Sequence, residues 1–546
     1  ASTSVAHIKA DVIVLGCTLP GIVTANKLKK KFGDSMDIVL LDLAGVKRVV
    51  SKCNVAFQQG TKGEDDYGSS ASDDNEDNEN TNKKPEDKTG QEYEHANEFQ
   101  IPLPGVIMNP LGYSSSLYKI FQHHNGKTVP DKSDFSYFNH LSFLERFELN
   151  QYQKVLDKNM QRLFSRNKFV DLQERSLLMY YDQTTMEKSI CGALLFSTSR
   201  DIMRTTVKLI CGASANRVSL LFYLHQCYRT SGCKHHIGGR NIRLREKLLG
   251  YCKKHLAAQL LNSIADITLP AKAIKNIRTR LKSDVEEVIL ETRMGETTYI
   301  CKLLAMAIRP DQLQAIEVDN KLLPEKEAMV AKGMIPGKAK KFLIQYEENF
   351  WAAKGFSGDI FSLRGPIVWA MEKPSLSLTG SVEKYVTIIG YLIVRDNDDH
   401  ENSRVAVVEQ LTSLFGSEAE SPVAYRESSL ADIYIPRCGD FVALKILTSQ
   451  VSPRGLEWGA FDIFGEGDVA SALQAGHSAY LHLLSCLRPQ AQTYEDISSS
   501  EVRTFLRESS ISWWLAHVNL LSTMKLTAWF TVILMGIKLI KFYAKN

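Results

Sequence analysis

Six residues near the start of the chain, Gly16-Cys17-Thr18-Leu19-Pro20-Gly21, have the types and spacing of a phosphate cradle. A glycine-rich turn between a strand and a helix offers backbone N–H groups and a helix N-terminus to a pyrophosphate. The full fingerprint is G-x-G-x-x-G, and Thr18 stands where its middle glycine belongs. Asp42, at the end of the next apolar run, is the acid expected on the ribose hydroxyls, somewhat later than the usual spacing. An ordinary structural βαβ unit explains the same residues. Other chemistry is poorly supported. The ten cysteines contain no C-x-x-C pair, which argues against zinc or a disulfide framework and for a reducing compartment. His123-His124 and His235-His236 are adjacent pairs whose side chains diverge on regular structure, so no metal site is expected. No Ser/His/Asp or Walker-type arrangement appears.

The cradle needs a strand before it and a helix after it. Asp11–Leu15 is short, apolar and β-branched, Ile22–Phe32 has helical spacing, and Asp37–Leu43 is a second apolar run. Residues 140–260 are largely helical in pattern, with amphipathic stretches at Phe143–Phe164 and Ile202–Tyr228. Strand patterns follow between about 265 and 310, at Lys341–Tyr346 and at Tyr385–Val394, and a small-residue helix is expected over Ala470–Leu484. The fold class is therefore α/β with a second lobe of mixed sheet and helices.

With 546 residues, 44% hydrophobic and 23% charged, the chain has the composition of a packed globular protein, which excludes collagen-like, coiled-coil and wholly disordered classes. Its net charge of +4 conceals a segment, Gly63 to Phe99, with 13 acids against 3 lysines, leaving about +14 on the rest. Residues 60–98 are too polar to repay the entropy of ordering and read as a disordered insertion. The basic residues elsewhere are scattered, so nucleic acid is not an expected partner. No Asn-x-Ser/Thr acceptor occurs, which suits a chain facing the cytosol. Leu515–Ile537 has one lysine in 23 residues, about the roughly 20 needed to span a bilayer. With Trp513, Trp514 and Trp529 nearby and Lys538, Lys541 and Lys545 behind, it reads as a C-terminal transmembrane tail anchor. A buried or interfacial helix is the alternative, because Lys525 has to snorkel or pair.

Phe464-Gly465-Glu466-Gly467-Asp468 and the helix after it resemble the flavin-contact segment of the flavin-dependent amine oxidase superfamily. Cys301–Val318, with Ala307-Ile308-Arg309-Pro310, and Gly337–Gly358, with a lysine on a strand followed by the Phe350-Trp351 pair, are most similar to the monoamine oxidases. The resemblance implies a two-lobed, glutathione-reductase-type FAD-binding fold with a mixed-sheet substrate domain. It implies FAD as cofactor, with Gly16, Thr18, Leu19, Gly21, Asp42, Gly465 and Glu466 around it. Lys341 is implied as the lysine that holds a water at flavin N5 and assists reoxidation by oxygen, and Cys438 as the point of covalent attachment. Read as residues alone, Lys338, Lys340 and Lys341 form a basic run of the solvated kind, and a single cysteine is a small hydrophobe. The anchor implies the mitochondrial outer membrane, with the endoplasmic reticulum as alternative.

Departures from the family pattern are as informative. Monoamine oxidases carry an aromatic residue after the attachment cysteine, where this chain has Gly439, and a Gly-Gly-Arg after the ribose acid, where it has Gly45-Val46-Lys47-Arg48. Losing the aromatic cage removes a cation–π attraction of about 0.5 to 2 kcal/mol per contact. Gly105–Phe121 and Phe143–Phe164 resemble prenylcysteine oxidases, and Asp11–Leu19 resembles Rab escort and GDP-dissociation-inhibitor proteins, relatives that lost the cofactor.

The expected organisation is an FAD-binding domain in three parts (1–120, 266–320, 430–490), a helical and substrate domain (121–265), a substrate sheet (321–429), a linker (491–512) and the anchor (513–546). The expected activity is oxidation of the carbon next to an amine nitrogen, giving imine and hydrogen peroxide, on a small amine or lipophilic substrate, with a homodimer as the candidate assembly. A degenerate binding module and a thioether oxidase are the alternatives.

Overall fold

A computed structural model of the chain describes residues 6–43, 117–131, 141–164, 175–229, 251–271, 273–373 apart from 283, 284, 294, 296 and 338, 385–393, 400–429, 434–461 apart from 450 and 453, 463, 469–493, 496 and 520–543. The acidic insertion, Gly45 to Arg48, His235-His236, Gly465 and Glu466 lie outside the described residues.

The first sheet forms around β1 (Ala6–Leu15), which lies parallel to β2 (Ile38–Asp42) on one side and to β8 (Thr297–Met306) on the other. A strand with parallel neighbours on both sides is covered on both faces where the helices reach it, so its buried end, Val12–Leu15, is an unbroken apolar run, while Ala6–Asp11 keeps polar residues and some exposure. Val12 and Val14 face the helix Leu19–Phe32, whereas Ile13 and Leu15 enter the cluster on the opposite face. The sheet continues outward through β5 (Thr268–Pro270) beyond β2, and through β7 (Val285–Thr292), β6 (Ile274–Lys282) and β9 (Glu317–Val318) beyond β8. The antiparallel β7 covers only the first part of β8; the end of β8 pairs in parallel with β17 (Leu456–Glu457).

The second sheet has the order β15 (Ala424–Ser429), β11 (Ala339–Tyr346), β14 (Val386–Ile393), β13 (Ile367–Glu372), β12 (Phe356–Ser362), β3 (Tyr118–Gln122) and β4 (Thr128–Asp131). One face packs on the helix His400–Phe415 through Phe342, Ile344 and Ile360. The other face, with Leu343, Phe361 and Trp369, packs on helices that include Phe143–Phe164, Ser197–Cys211 and Leu220–Arg229. A two-stranded ribbon, β10 (Ile335–Pro336) with β16 (Tyr434–Ile435), joins the lobes: Tyr434 enters the core of the first and Ile435 that of the second.

The helix Phe143–Phe164 has the bounds its spacing predicts. The single stretch expected over Ile202–Tyr228 is two helices, because Gly212 ends the first in the left-handed conformation, at φ +68°.

The C-terminal expectation needs correcting. Among the described residues no helix is long and apolar enough to cross a membrane, so the transmembrane segment at Leu515–Ile537 is not supported. A helix does run over Leu520–Tyr543, but the expected span begins outside the described residues, and Lys525, Lys538 and Lys541 interrupt the helix.

Candidate cofactor and substrate site

At the end of β1 three backbones meet. Gly16 turns with φ +109°, and a Cβ there would lie 2.3 Å from the Ala307 carbonyl oxygen. The Gly16 N–H donates to Leu41 O (3.0 Å) and the Ala307 N–H to Leu15 O (2.9 Å), so the turn is fixed between the ends of β2 and β8. At Gly21 a Cβ would fall 2.5 Å from both the Ala307 Cβ and the Gly16 oxygen, which lets the helix Leu19–Phe32 approach the sheet. Only glycine fits either position.

The helix Val469–Leu487 packs along Leu19–Phe32. At the crossing Gly476 has room for no side chain, since a Cβ would be 2.6 Å from Pro20 O, and the Thr24 hydroxyl donates to Pro20 O (2.8 Å) and is 3.1 Å from Gly476 O. Gly465 and Glu466 themselves are not described, but the helix that begins three residues after Glu466 is brought to the Gly16 turn.

Thr18 occupies the N-cap of Leu19–Phe32, yet its hydroxyl donates to Ala307 O (2.8 Å) and caps no helical N–H. The side chain at the middle-glycine position is thus committed to the end of β8. The helix N-terminus keeps the N–H groups of Leu19 and Gly21 uncovered by any side-chain cap, Pro20 having none to offer. Asp42 is buried at the end of β2. Burial, reinforced by the Asp42 charge, pushes the neighbouring Cys17 thiol far above its ordinary range, so Cys17 is apolar filling and no nucleophile. Two positions that exclude a Cβ, an open helix N-terminus and a buried acid one strand away are the features a dinucleotide requires, and these residues fit one.

Beneath the helix Val469–Leu487 lies a group that sequence reasoning missed. Glu457, fully buried on β17, accepts from the N–H groups of Gly459 (2.6 Å) and Ala460 (3.3 Å) and lies 3.1 Å from His482 Nδ1. It fastens the end of β17 to the helix Val469–Leu487.

In the second lobe Lys341 lies on β11 opposite Tyr391 of β14. The register continues through Trp369 and Phe361 to Phe121, so one row crosses the sheet as Lys341, Tyr391, Trp369, Phe361, Phe121. Trp369 stacks on Tyr391 at 6.3 Å between centroids, and Phe361 lies 5.5 Å from Phe121. The basic run is no solvated face: Lys341 is half-buried, and Lys340, on the opposite side, pairs with Glu427 at 3.1 Å with both side chains 12% exposed.

Cys438 is exposed in the turn after β16, its Sγ 3.8 Å from Arg217 O. Gly439 has φ +97°, so the aromatic residue of the monoamine oxidases is excluded there by backbone conformation and not by lack of space, the nearest atom to a Cβ being Gln183 Cγ at 3.9 Å. Fully buried Asp182 holds this turn: its carbonyl accepts from Gly439 N (3.0 Å) and its carboxylate from Val442 N (3.0 Å). Burial raises the Asp182 carboxyl above its usual range, partly offset by those N–H groups and the Ser219 hydroxyl. Among the described residues no group of three or more His, Cys, Asp or Glu is arranged to hold a metal.

No family model matches the chain. A Dictyostelium discoideum protein named flavin-containing monoamine oxidase A is 24% identical over 262 residues, 46% of this chain and 53% of its own length. A Mycobacterium tuberculosis protein named flavin-containing monoamine oxidase is 24% identical over 231 residues, 42% of this chain and 48% of its own. The chain therefore spans about half the length of the curated relatives it matches. Among solved structures, putrescine oxidase with bound putrescine superimposes with a TM-score of 0.60 at 13% identity, covering 88% of this chain and 100% of the other. Cyclohexylamine oxidase from Brevibacterium oxydans gives 0.58 at 15% identity, covering 87% and 99%. The fold likeness extends over nearly the whole chain while the sequence likeness is thin: the chain has the fold of these amine oxidases, and the similarity to flavin-containing monoamine oxidases supports a divergent relative of that superfamily.

Proposed function

We propose that the chain is an FAD-dependent amine oxidase, attached to a membrane, that acts on a small or lipophilic amine. The observation that carries this reading is the meeting of the Gly16 turn, Ala307 and the Gly476 helix around one uncapped helix N-terminus. Gly16 and Gly21 let the backbone approach a pyrophosphate, Leu19 N–H and Gly21 N–H donate to it, and Asp42 takes the ribose hydroxyls. When bound, FAD supplies the two-electron acceptor for the carbon next to the nitrogen.

What remains falls to the second lobe. An amine yields a hydride equivalent only when uncharged, and an apolar aromatic floor disfavours the ammonium form. Tyr391, Trp369 and Phe361 would supply such a floor only where the helices packed on this row open to admit the amine. Lys341 stands at one end of the row, where its ammonium orients a water for the oxygen half-reaction.

Purified protein is expected to show the flavin absorption bands and to release peroxide with members of an amine panel; a colourless protein overturns the proposal. One observation favours a second reading: Tyr391, Trp369, Phe361 and Phe121 are all at most 5% exposed, so the row is closed. A flavin-loaded protein inert toward every amine and prenylcysteine tested would identify a binding module that kept the fold.

The membrane part of the proposal rests on the helix Leu520–Tyr543, whose apolar side chains are bare, Trp529 at 69% and Val532 at 65% exposed. These bare apolar side chains need a cover that the described residues do not give, and a membrane surface is the cover proposed, with no crossing of the bilayer. Deleting 513–546 is expected to move the protein from the membrane pellet to the supernatant. The mitochondrial outer membrane is the proposed site, and fluorescence imaging distinguishes it from the endoplasmic reticulum.

A further inference from the structure

Ala307, the first residue beyond β8, meets all three positions of the glycine fingerprint. Its carbonyl oxygen would be 2.3 Å from a Cβ on Gly16, the same oxygen accepts from the Thr18 hydroxyl at 2.8 Å, and its own Cβ would be 2.5 Å from a Cβ on Gly21. The first and last positions answer this crowding by having no side chain. The middle one keeps a side chain and answers with a hydrogen bond. Thr18 has ordinary extended backbone, φ −72° and ψ 160°, at the N-cap of Leu19–Phe32. A threonine oxygen in that place normally accepts from the N–H two or three residues further on. Pro20 offers no N–H, so the donor such a cap would take is that of Gly21. A capped Gly21 N–H is lost to any anion at the helix N-terminus. Here the hydroxyl turns the other way, to the end of β8, and makes no capping bond. The residue that draws it there is itself fixed, its N–H donating to Leu15 O at 2.9 Å.

We propose that Thr18 is a positioning residue for a diphosphate: its bond to the Ala307 carbonyl holds the side chain off the helix N-terminus, so that the Gly21 N–H stays open to a phosphate oxygen although the middle glycine is missing. This rests on the cofactor reading above and adds to it how a threonine does a glycine's work. The hydroxyl is the part that matters. Valine has nearly the same shape and no donor, and a carbon cannot take the hydroxyl's place 2.8 Å from the Ala307 oxygen, because such contacts are about 3.3 Å or longer. A valine side chain therefore leaves that position and is no longer held clear of the helix N-terminus. Serine keeps the donor, and glycine removes the side chain that has to be held.

The test titrates the full-length protein, freed of flavin, with FAD and with ADP, which shares the diphosphate. Thr18→Ser and Thr18→Gly are expected to bind both ligands within about twofold of the wild type. Thr18→Val is expected to bind both about tenfold more weakly, the equivalent of about one hydrogen bond. Urea unfolding of the ligand-free variants separates this from a purely structural role: Thr18→Val that loses stability and keeps its affinity for FAD and ADP overturns the proposal. Thr18→Gly that binds about tenfold more tightly than the wild type, or that binds FAD where the wild type does not, also overturns it, because Thr18 is then an obstruction in a cradle that still stands. Absence of FAD binding in both the wild type and Thr18→Gly is the separate outcome in which the cofactor reading itself fails and takes the proposal with it.

Discussion

At the Gly16 turn, contacts are made by main chain against main chain, through Ala307, Gly21 and Gly476, and the residues are small because a Cβ has nowhere to go. At the Cys438 turn, contacts are made by side chains, with Asp182, Ser219 and Phe441 filling the junction, and Gly439 has space beside it that its φ prevents a larger residue from using. The first arrangement tolerates almost no substitution and so retains a recognisable spacing. The second is held by long-range polar contacts that other residues can replace, and it has drifted from the family pattern. The spacing around Gly16 thus stays legible while the turn at Cys438 departs from the pattern the chain otherwise resembles.

The largest effect that sharpens this contrast is expected from Gly16→Val. A Cβ 2.3 Å from the Ala307 oxygen forces the ends of β1 and β8 apart, and φ +109° is strained for a β-branched residue. We expect a loss of about 5 kcal/mol, combining backbone strain with overpacking, together with all bound flavin. Urea unfolding and flavin content measure both. A variant with native stability that still binds flavin breaks the claim that this end is fixed by backbone contact.

Trp369→Ala probes the other end. The indole is fully buried in the aromatic row, and its N–H has no hydrogen-bond partner, so its contribution is packing alone. Its removal is expected to cost about 4 kcal/mol, slightly less than Gly16→Val, with flavin content per folded molecule unchanged. Equal loss of flavin in the two variants would show that the lobes are not independent. Lys341→Met is smaller again. If Lys341 assists reoxidation as proposed, losing its ammonium is expected to slow flavin reoxidation about tenfold, about 1.4 kcal/mol in barrier, while anaerobic reduction by the amine keeps its rate. Stopped-flow absorbance separates the two half-reactions.

How far these features were legible from sequence follows the same division. The unit from β1 to β2 was readable because a strand buried on both faces must be apolar throughout, as Val12 to Leu15 are. Lys341 was singled out only by the resemblance of Gly337–Gly358 to a family segment, and its register in the row came only from the sheet. Asp182 and Glu457 were invisible because a lone acid has no period; what buries and satisfies it is supplied by residues far away in the chain, Val442 in one case and His482 in the other. Gly439 was read as a lost aromatic, whereas its positive φ is a property of the turn that no residue count reveals. The division of Ile202–Tyr228 at Gly212 was available in the sequence, since a glycine after an amphipathic stretch is a helix stop.

The smallest effect concerns how the two helices of the cofactor end are held together away from the turn. Asp496 reaches Lys31 of Leu19–Phe32 at 3.1 Å and Tyr480 of Val469–Leu487 at 3.1 Å, and accepts from the N–H and hydroxyl of Thr493 at 2.9 and 2.8 Å. Burial alone would raise its carboxyl, but the bonds from Thr493, Lys31 and Tyr480 outweigh it and hold the group well below the usual carboxylate range. A depressed folded-state value means that the stabilisation is complete above the unfolded carboxylate pKa, near about 4, and is lost as pH falls through the folded value. Asp496→Asn is therefore expected to lower stability by about 1 kcal/mol at pH 7, with the gap to the wild type narrowing as the pH drops below about 4. Thermal unfolding of both proteins across that range checks the sign: a gap that stays constant with pH would mean that the aspartate acts as a hydrogen-bond acceptor alone, and that the helix pair owes nothing to its charge.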